Sequence, residues 1–74
     1  MPETVLNLQG LKCPLPALKT RKALMAARSG EHVVVECTDP LAAIDIPHLV
    51  QQTGDVLEAL VRQGDVLSFR IRKA

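Results

Sequence analysis

Hydrophobic and polar positions change their period several times along this chain, and each change marks an element. Thr4-Val5-Leu6-Asn7-Leu8 is short and mostly apolar and reads as a first strand. Gly10 then supplies a turn. Residues 14–28 carry a helical pattern: at about 100° per residue, Ala17, Thr20, Ala23, Leu24 and Ala27 gather on one arc free of charge. That arc is the predicted core face, and its small side chains imply close packing on a sheet. Leu15, Leu18 and Met25 fall on the opposite side, among Lys19, Arg21 and Lys22. Ser29-Gly30 is a usual stop for a helix.

The second half alternates between the same two periods. Residues 31–37 hold three consecutive valines and form the strongest predicted strand. Strand, helix and strand make a crossover unit, which favours a parallel pair of right-handed connection. Cys13 follows the first strand and Cys37 closes the second, so both sulfurs are expected at one edge of the sheet. Cys37 reads as a half-buried strand residue. Thr38-Asp39-Pro40 is a helix-start signal, with Asp39 as cap and Pro40 at the first position. Asp45-Ile46-Pro47 then predicts a break, because an interior proline removes a hydrogen bond and clashes with the preceding turn. Asp45 is expected to cap a second helical piece running to about Gln52. His48, just after the break, reads as exposed, and His32 as solvated. Residues 56–62 and 66–72 predict a hairpin with Gln63-Gly64-Asp65 as its loop. In its second strand Leu67, Phe69 and Ile71 point inward, with Ser68, Arg70 and Arg72 outward. Its first strand is less regular, with Leu60 set opposite to Leu57, Ala59 and Val61. The predicted fold is α+β: a two-layer sandwich, β-α-β-α-β-β, with a four-stranded mixed sheet and two helices on one face.

Composition narrows this. The 74 residues correspond to a single domain over 1–74, with room for a two-layer core but not for a deep cavity. Phe69 is the one aromatic residue, so the core must be built from Leu, Val, Ile and Ala. The net charge of +1 is uninformative, but its distribution is not. Lys12, Lys19, Arg21, Lys22 and Arg28 lie in a stretch with no acid between Thr4 and Gly30, which puts Cys13 in a positive field. The start of the chain has neither the basic nor the apolar part of a secretory leader, and no segment approaches the ~20 apolar residues of a membrane span. A cytoplasmic protein with reduced cysteines is expected. Cys13 and Cys37 form no Cys-x-x-Cys pair, so no metal site is indicated.

The candidate chemistry lies at Gly10-Leu11-Lys12-Cys13-Pro14-Leu15-Pro16. A cysteine at a helix start faces unpaired N–H groups and a partial positive charge, which predicts a thiol pKa below ~8.5. Lys12 adds to that field. Pro14 and Pro16 fit the first turn and stiffen it, leaving the N–H groups of Leu15 and Ala17 to face the sulfur.

This motif, followed by Thr38-Asp39-Pro40, Asp45-Ile46-Pro47 and the ending Phe69-Arg70-Ile71-Arg72-Lys73, resembles the TusA/SirA family of small sulfur-carrier proteins over nearly the whole chain. One departure is Asn7, where that family usually has an acid. The resemblance implies strand order 1-2-4-3 with the fourth strand antiparallel to the others. It also implies sulfur relay without a cofactor, a sulfurtransferase activity in kind. Cys13 would accept sulfane sulfur as a persulfide from a donor protein, such as a cysteine desulfurase or rhodanese-like enzyme. It would pass that sulfur to an acceptor protein, in tRNA thiolation, molybdenum cofactor metabolism or other sulfur metabolism. Such a carrier needs a reusable docking surface, and Leu15, Leu18 and Met25 with Arg21 and Lys22 are the candidates. Neither a membrane nor a nucleic acid is an expected partner. Two alternatives are a redox regulator using a Cys13–Cys37 disulfide and a small nucleic-acid-binding module using the basic helix with Arg70 and Arg72.

Overall fold

The computed structural model describes residues 3–74. Six elements follow in the expected order: β1 (Glu3–Leu8), α1 (Leu15–Ala26), β2 (His32–Cys37), α2 (Ala42–Thr53), β3 (Val56–Gln63) and β4 (Val66–Arg72). The strands form one sheet in the order β1-β2-β4-β3. β1 and β2 are parallel, with Leu8 opposite Cys37 at their C-terminal ends. β4 runs antiparallel to both its neighbours, β2 and β3.

Strict alternation on β2 and β4 decides where the core lies. Val33, Val35, Cys37, Leu67, Phe69 and Ile71 are buried and form one cluster with Leu24 of α1 and Ala42, Ile46 and Val50 of α2. Both helices therefore cover the same face of the sheet. α1 buries Thr20 and Leu24 and half-buries Ala17, Ala23 and Ala27, as its charge-free arc predicts, and it leaves Leu15, Leu18 and Met25 exposed. It ends at Ala26, two residues short of the predicted end. Ala27 is already extended, because the chain must return to the sheet. There the Gly30 N–H donates to the Lys73 carbonyl and the Lys73 N–H to the Glu31 carbonyl, each at 2.8 Å.

α2 departs from expectation. It is one continuous helix with Pro47 inside it, not two pieces separated by a break. Pro47 removes only the bond to the Ala43 carbonyl, a penalty of about 3 kcal/mol. Continuity keeps Ala42, Ile46, Leu49 and Val50 on one buried stripe. The three large side chains of that stripe gain about 1.5–3 kcal/mol each on burial, which outweighs the proline. Asp45 then caps nothing, since its own N–H bonds the Leu41 carbonyl at 2.9 Å as an ordinary helical residue.

β3 also corrects the sequence reading. A bulge at Glu58 shifts the register between Leu57 and Ala59, so Leu57 pairs with Ile71 and Leu60 with Phe69. Leu57 and Leu60 thus share the helix-covered side, and Ala59 and Val61 take the other. The extra residue inverts the alternation that an unbroken strand would show. The Glu58 carboxylate gathers three partners on the uncovered face: His32 Nε2 at 2.8 Å, Arg72 Nε at 3.2 Å and Arg70 Nε at 3.6 Å. Arg70 also pairs with Glu3. His32 is consequently half-buried and paired rather than solvated. Among the described residues no helix is long and apolar enough to cross a membrane.

Candidate functional site

The parallel pairing of β1 and β2 brings their two following loops to one edge of the sheet, and the site is built between them. After β1, Gly10 turns the chain at φ +84°, a backbone state that side-chain-bearing residues rarely adopt. Asn7 supports this turn by accepting the Gln9 N–H at 3.2 Å, so the family departure at this position makes a loop hydrogen bond. The Gly10 N–H reaches across to Thr38 Oγ1 at 2.8 Å, and the Cys13 N–H donates to Asp39 Oδ2 at 2.7 Å. Asp39 Oδ1 accepts the Leu41 N–H at 3.0 Å in the turn before α2. The helix starts at Ala42 with Leu41 as its N-cap, so Asp39 and Pro40 lie just ahead of the cap and first position expected of them. One carboxylate therefore ties the cysteine loop to the entry of α2. Those two N–H bonds, with Lys12 adding, lower the Asp39 pKa against the opposing effect of desolvation.

Cys13 is an exposed free thiol. Its surroundings are the reverse of those predicted. Sγ donates to Asp45 Oδ2 at 3.1 Å. That hydrogen bond raises the thiol pKa above its ordinary value, with desolvation and the charges of Asp45 and Asp39 acting in the same direction. The expected lowering fails for two reasons. α1 starts at Leu15, with Pro14 as its N-cap, and the Leu15 N–H is spent on the Lys12 carbonyl at 2.9 Å instead of facing the sulfur. Two acids that are 26 and 32 residues away in sequence also replace the local basic field at close range. The charge of Lys12 acts on Asp39.

Cys37 is fully buried, not half-buried, and burial followed by the charge of Asp39 pushes its thiol up to about 11. Both cysteines are free thiols, and Cys37 offers solvent no surface for a redox pair. Phe69 is likewise buried, and Arg70 and Arg72 are engaged by Glu3 and Glu58, which removes the basis for a nucleic-acid module on that strand.

An open groove between α1 and α2 begins at Cys13 and Pro14. Ala17, Leu18 and Arg21 line it from α1, and Asp45, His48, Leu49 and Gln52 from α2. Of the five candidate docking residues, the fold places Leu18 and Arg21 in this groove with the cysteine. Lys22 lines a separate depression beside β1 with Lys19, while Leu15 and Met25 are exposed and line neither. Pro16 is buried in the first turn of α1. Asp45 and His48 are the residues that sequence reasoning did not bring here. The Asp-x-Pro triplet was their one visible signal, and it reads equally well as a helix break.

A family model described as Sulfurtransferase TusA matches residues 4–73. The sulfur carrier protein TusA of Allochromatium vinosum is 38% identical over 69 residues, covering 93% of this chain and 91% of that protein. YrkI of Bacillus subtilis, named as a candidate sulfur carrier, is 35% identical over 71 residues, 96% of this chain and 95% of its own length. A candidate sulfur carrier of Archaeoglobus fulgidus is 38% identical over 64 residues, 85% and 83% of the two chains.

Proposed function

This chain belongs to the sulfurtransferase TusA family, and from that membership we propose that it is a sulfur carrier with Cys13 as its persulfide site. The observation that carries the reading is the placement of Cys13. Its thiol is exposed on a loop held by Gly10, Thr38 and Asp39, at the mouth of an open groove. Transfer between two proteins needs a sulfur that both can reach, and a shallow mounting allows that where a deep pocket would not. Lys12 contributes charge to the loop, and Pro14 and Pro16 its stiffness. A donor protein, such as a cysteine desulfurase or rhodanese-like enzyme, loads the sulfane sulfur. The thiol of an acceptor protein in a sulfur relay removes it. Leu18 and Arg21 form the centre of the docking surface, with Leu15, Lys22 and Met25 at its margins.

Incubation with a cysteine desulfurase and cysteine, followed by intact mass measurement, tests this. Wild type and Cys37→Ala gain one sulfur, and Cys13→Ser gains none. Uptake by Cys13→Ser equal to that of wild type overturns the assignment.

A further inference from the structure

Asp45 is the acid in the first turn of α2, where its charge suits the helix N-terminus, but its side chain caps no helix end. Its Oδ2 atom is instead the hydrogen-bond partner of Cys13 Sγ, at 3.1 Å, and no other described residue bonds that sulfur. The second carboxylate nearby is already committed, since Asp39 accepts the N–H groups of Cys13 and Leu41. His48 lines the same groove one turn further along α2, and Arg21 faces it from α1, but neither bonds Sγ. Lys12, in the cysteine's own loop, acts on Asp39. The contact falls within the reach of about 2.6–3.2 Å required of a general base.

Resting on the carrier reading, we propose that Asp45 is a catalytic residue of sulfur loading, the acceptor of the Cys13 proton. The donor presents a persulfide, R–S–SH. The Cys13 Sγ–H proton passes to Asp45 Oδ2 as an Sγ electron pair forms a bond to the sulfane sulfur. The donor's S–S bond breaks, and its electron pair leaves on the donor sulfur. That sulfur then takes the proton from Asp45. The sum is R–S–SH + Cys13–SH → R–SH + Cys13–S–SH, so the carboxylate is regenerated and no oxidant or reductant is consumed.

The arrangement makes chemical sense for a carrier. A standing thiolate on an exposed loop reacts with any oxidant or electrophile it meets. A thiol kept neutral beside a carboxylate is protected until a sulfane sulfur is aligned with it. A thiol of higher pKa is also the stronger nucleophile once its proton has gone. Asp39 and Asp45 together disfavour the free thiolate at Cys13, and the contact with Asp45 supplies ionisation only along the reaction path.

The test loads the full chain with glutathione persulfide, a small donor that needs no protein docking, and follows the added sulfur by intact mass. Cys13 alkylation by iodoacetamide is measured in parallel, and circular dichroism reports the fold. Asp45→Asn keeps the shape of the side chain but cannot hold the proton. Loading is expected to slow by about 10²-fold, the lower end for general base catalysis. Alkylation at pH 7 is expected to speed up several-fold, because a charge that opposed the thiolate is gone. Opposite signs in the two reactions are what a merely structural role would not produce. Asp45→Glu, which returns a carboxylate one methylene longer, should restore part of the loading and slow alkylation again. It also provides the comparison if Asp45→Asn fails to fold, since full-speed loading with the carboxylate displaced overturns the proposal. Loading that is unchanged or faster in Asp45→Asn overturns it too. A wild type that gains no sulfur overturns the carrier reading itself, and with it the role of Asp45.

Discussion

Burial at the C-terminal end of β2 pushes the Cys37 thiol up to about 11, whereas Cys13 is exposed and is raised chiefly by its hydrogen bond to Asp45. The two cysteines thus leave their ordinary value for different reasons, and the consequence for stability is followed most directly at the buried one. A folded-state pKa above the unfolded value of 9.0 means that the native state favours the neutral Cys37 thiol. Its contribution is complete below pH 9.0 and is lost as the pH rises through about 11. Urea unfolding measured across that window should show wild type losing stability more steeply than Cys37→Ala. Lysine titration affects both proteins alike, so the difference isolates Cys37. Equal slopes would mean that Cys37 ionises as readily in the folded chain as in the unfolded one.

Elements are where local pattern and tertiary packing compete. In α2 the proline signal is genuine, but the buried stripe of Ile46, Leu49 and Val50 keeps the helix continuous. In β3 a single extra residue restores Leu60 to the side of Leu57. That residue, Glu58, also joins β3 to β2 and β4 through His32, Arg70 and Arg72. Each partly exposed pair is worth about 0.2–1 kcal/mol, so Glu58→Ala should destabilise the protein by about 1 kcal/mol. The loss should shrink in high salt, because screening weakens the pairs already in wild type. Urea unfolding at low and high ionic strength measures both effects, and a loss independent of salt would assign the stabilisation to the bulge backbone instead.

At the scale of the whole molecule, charge that is segregated along the sequence is mixed in space. The basic stretch of residues 12–28 meets Asp39 and Asp45 at the sheet edge, so the sulfur sits against acids while Arg21 flanks the same groove. Arg21 and Lys22 are neighbours in sequence but face different depressions. If the groove receives the partners, Arg21→Glu should slow loading from a protein donor and weaken the salt dependence of its rate. Lys22→Glu should do so much less. Loading from glutathione persulfide should persist in both variants, since that donor does not dock. Equal slowing by the two reversals would move the docking surface outward along α1, and no effect from either would place it elsewhere on the molecule.

The sequence by itself determined the order of elements, the core face of α1, the alternation of β4 and the cysteine loop, because each rests on interactions between residues close in the chain. Periodicity decides which side of an element is apolar, and Gly10, Pro14 and Pro16 act on their own backbone. The parallel pair was legible as well, since a strand-helix-strand unit has one favoured handedness, and that was enough to place Cys13 and Cys37 at one edge of the sheet. Only the tertiary structure decided what the sulfur touches. Asp45 points at Cys13 because burial of Ile46 and Val50 sets the rotation of α2 about its axis, and a helix turned differently would point that carboxylate elsewhere. A hydrogen bond at 3.1 Å acts more strongly on a thiol than a helix end whose first N–H already has a partner. The direction of the Cys13 shift was therefore set by a contact spanning 32 residues, which no local pattern encodes.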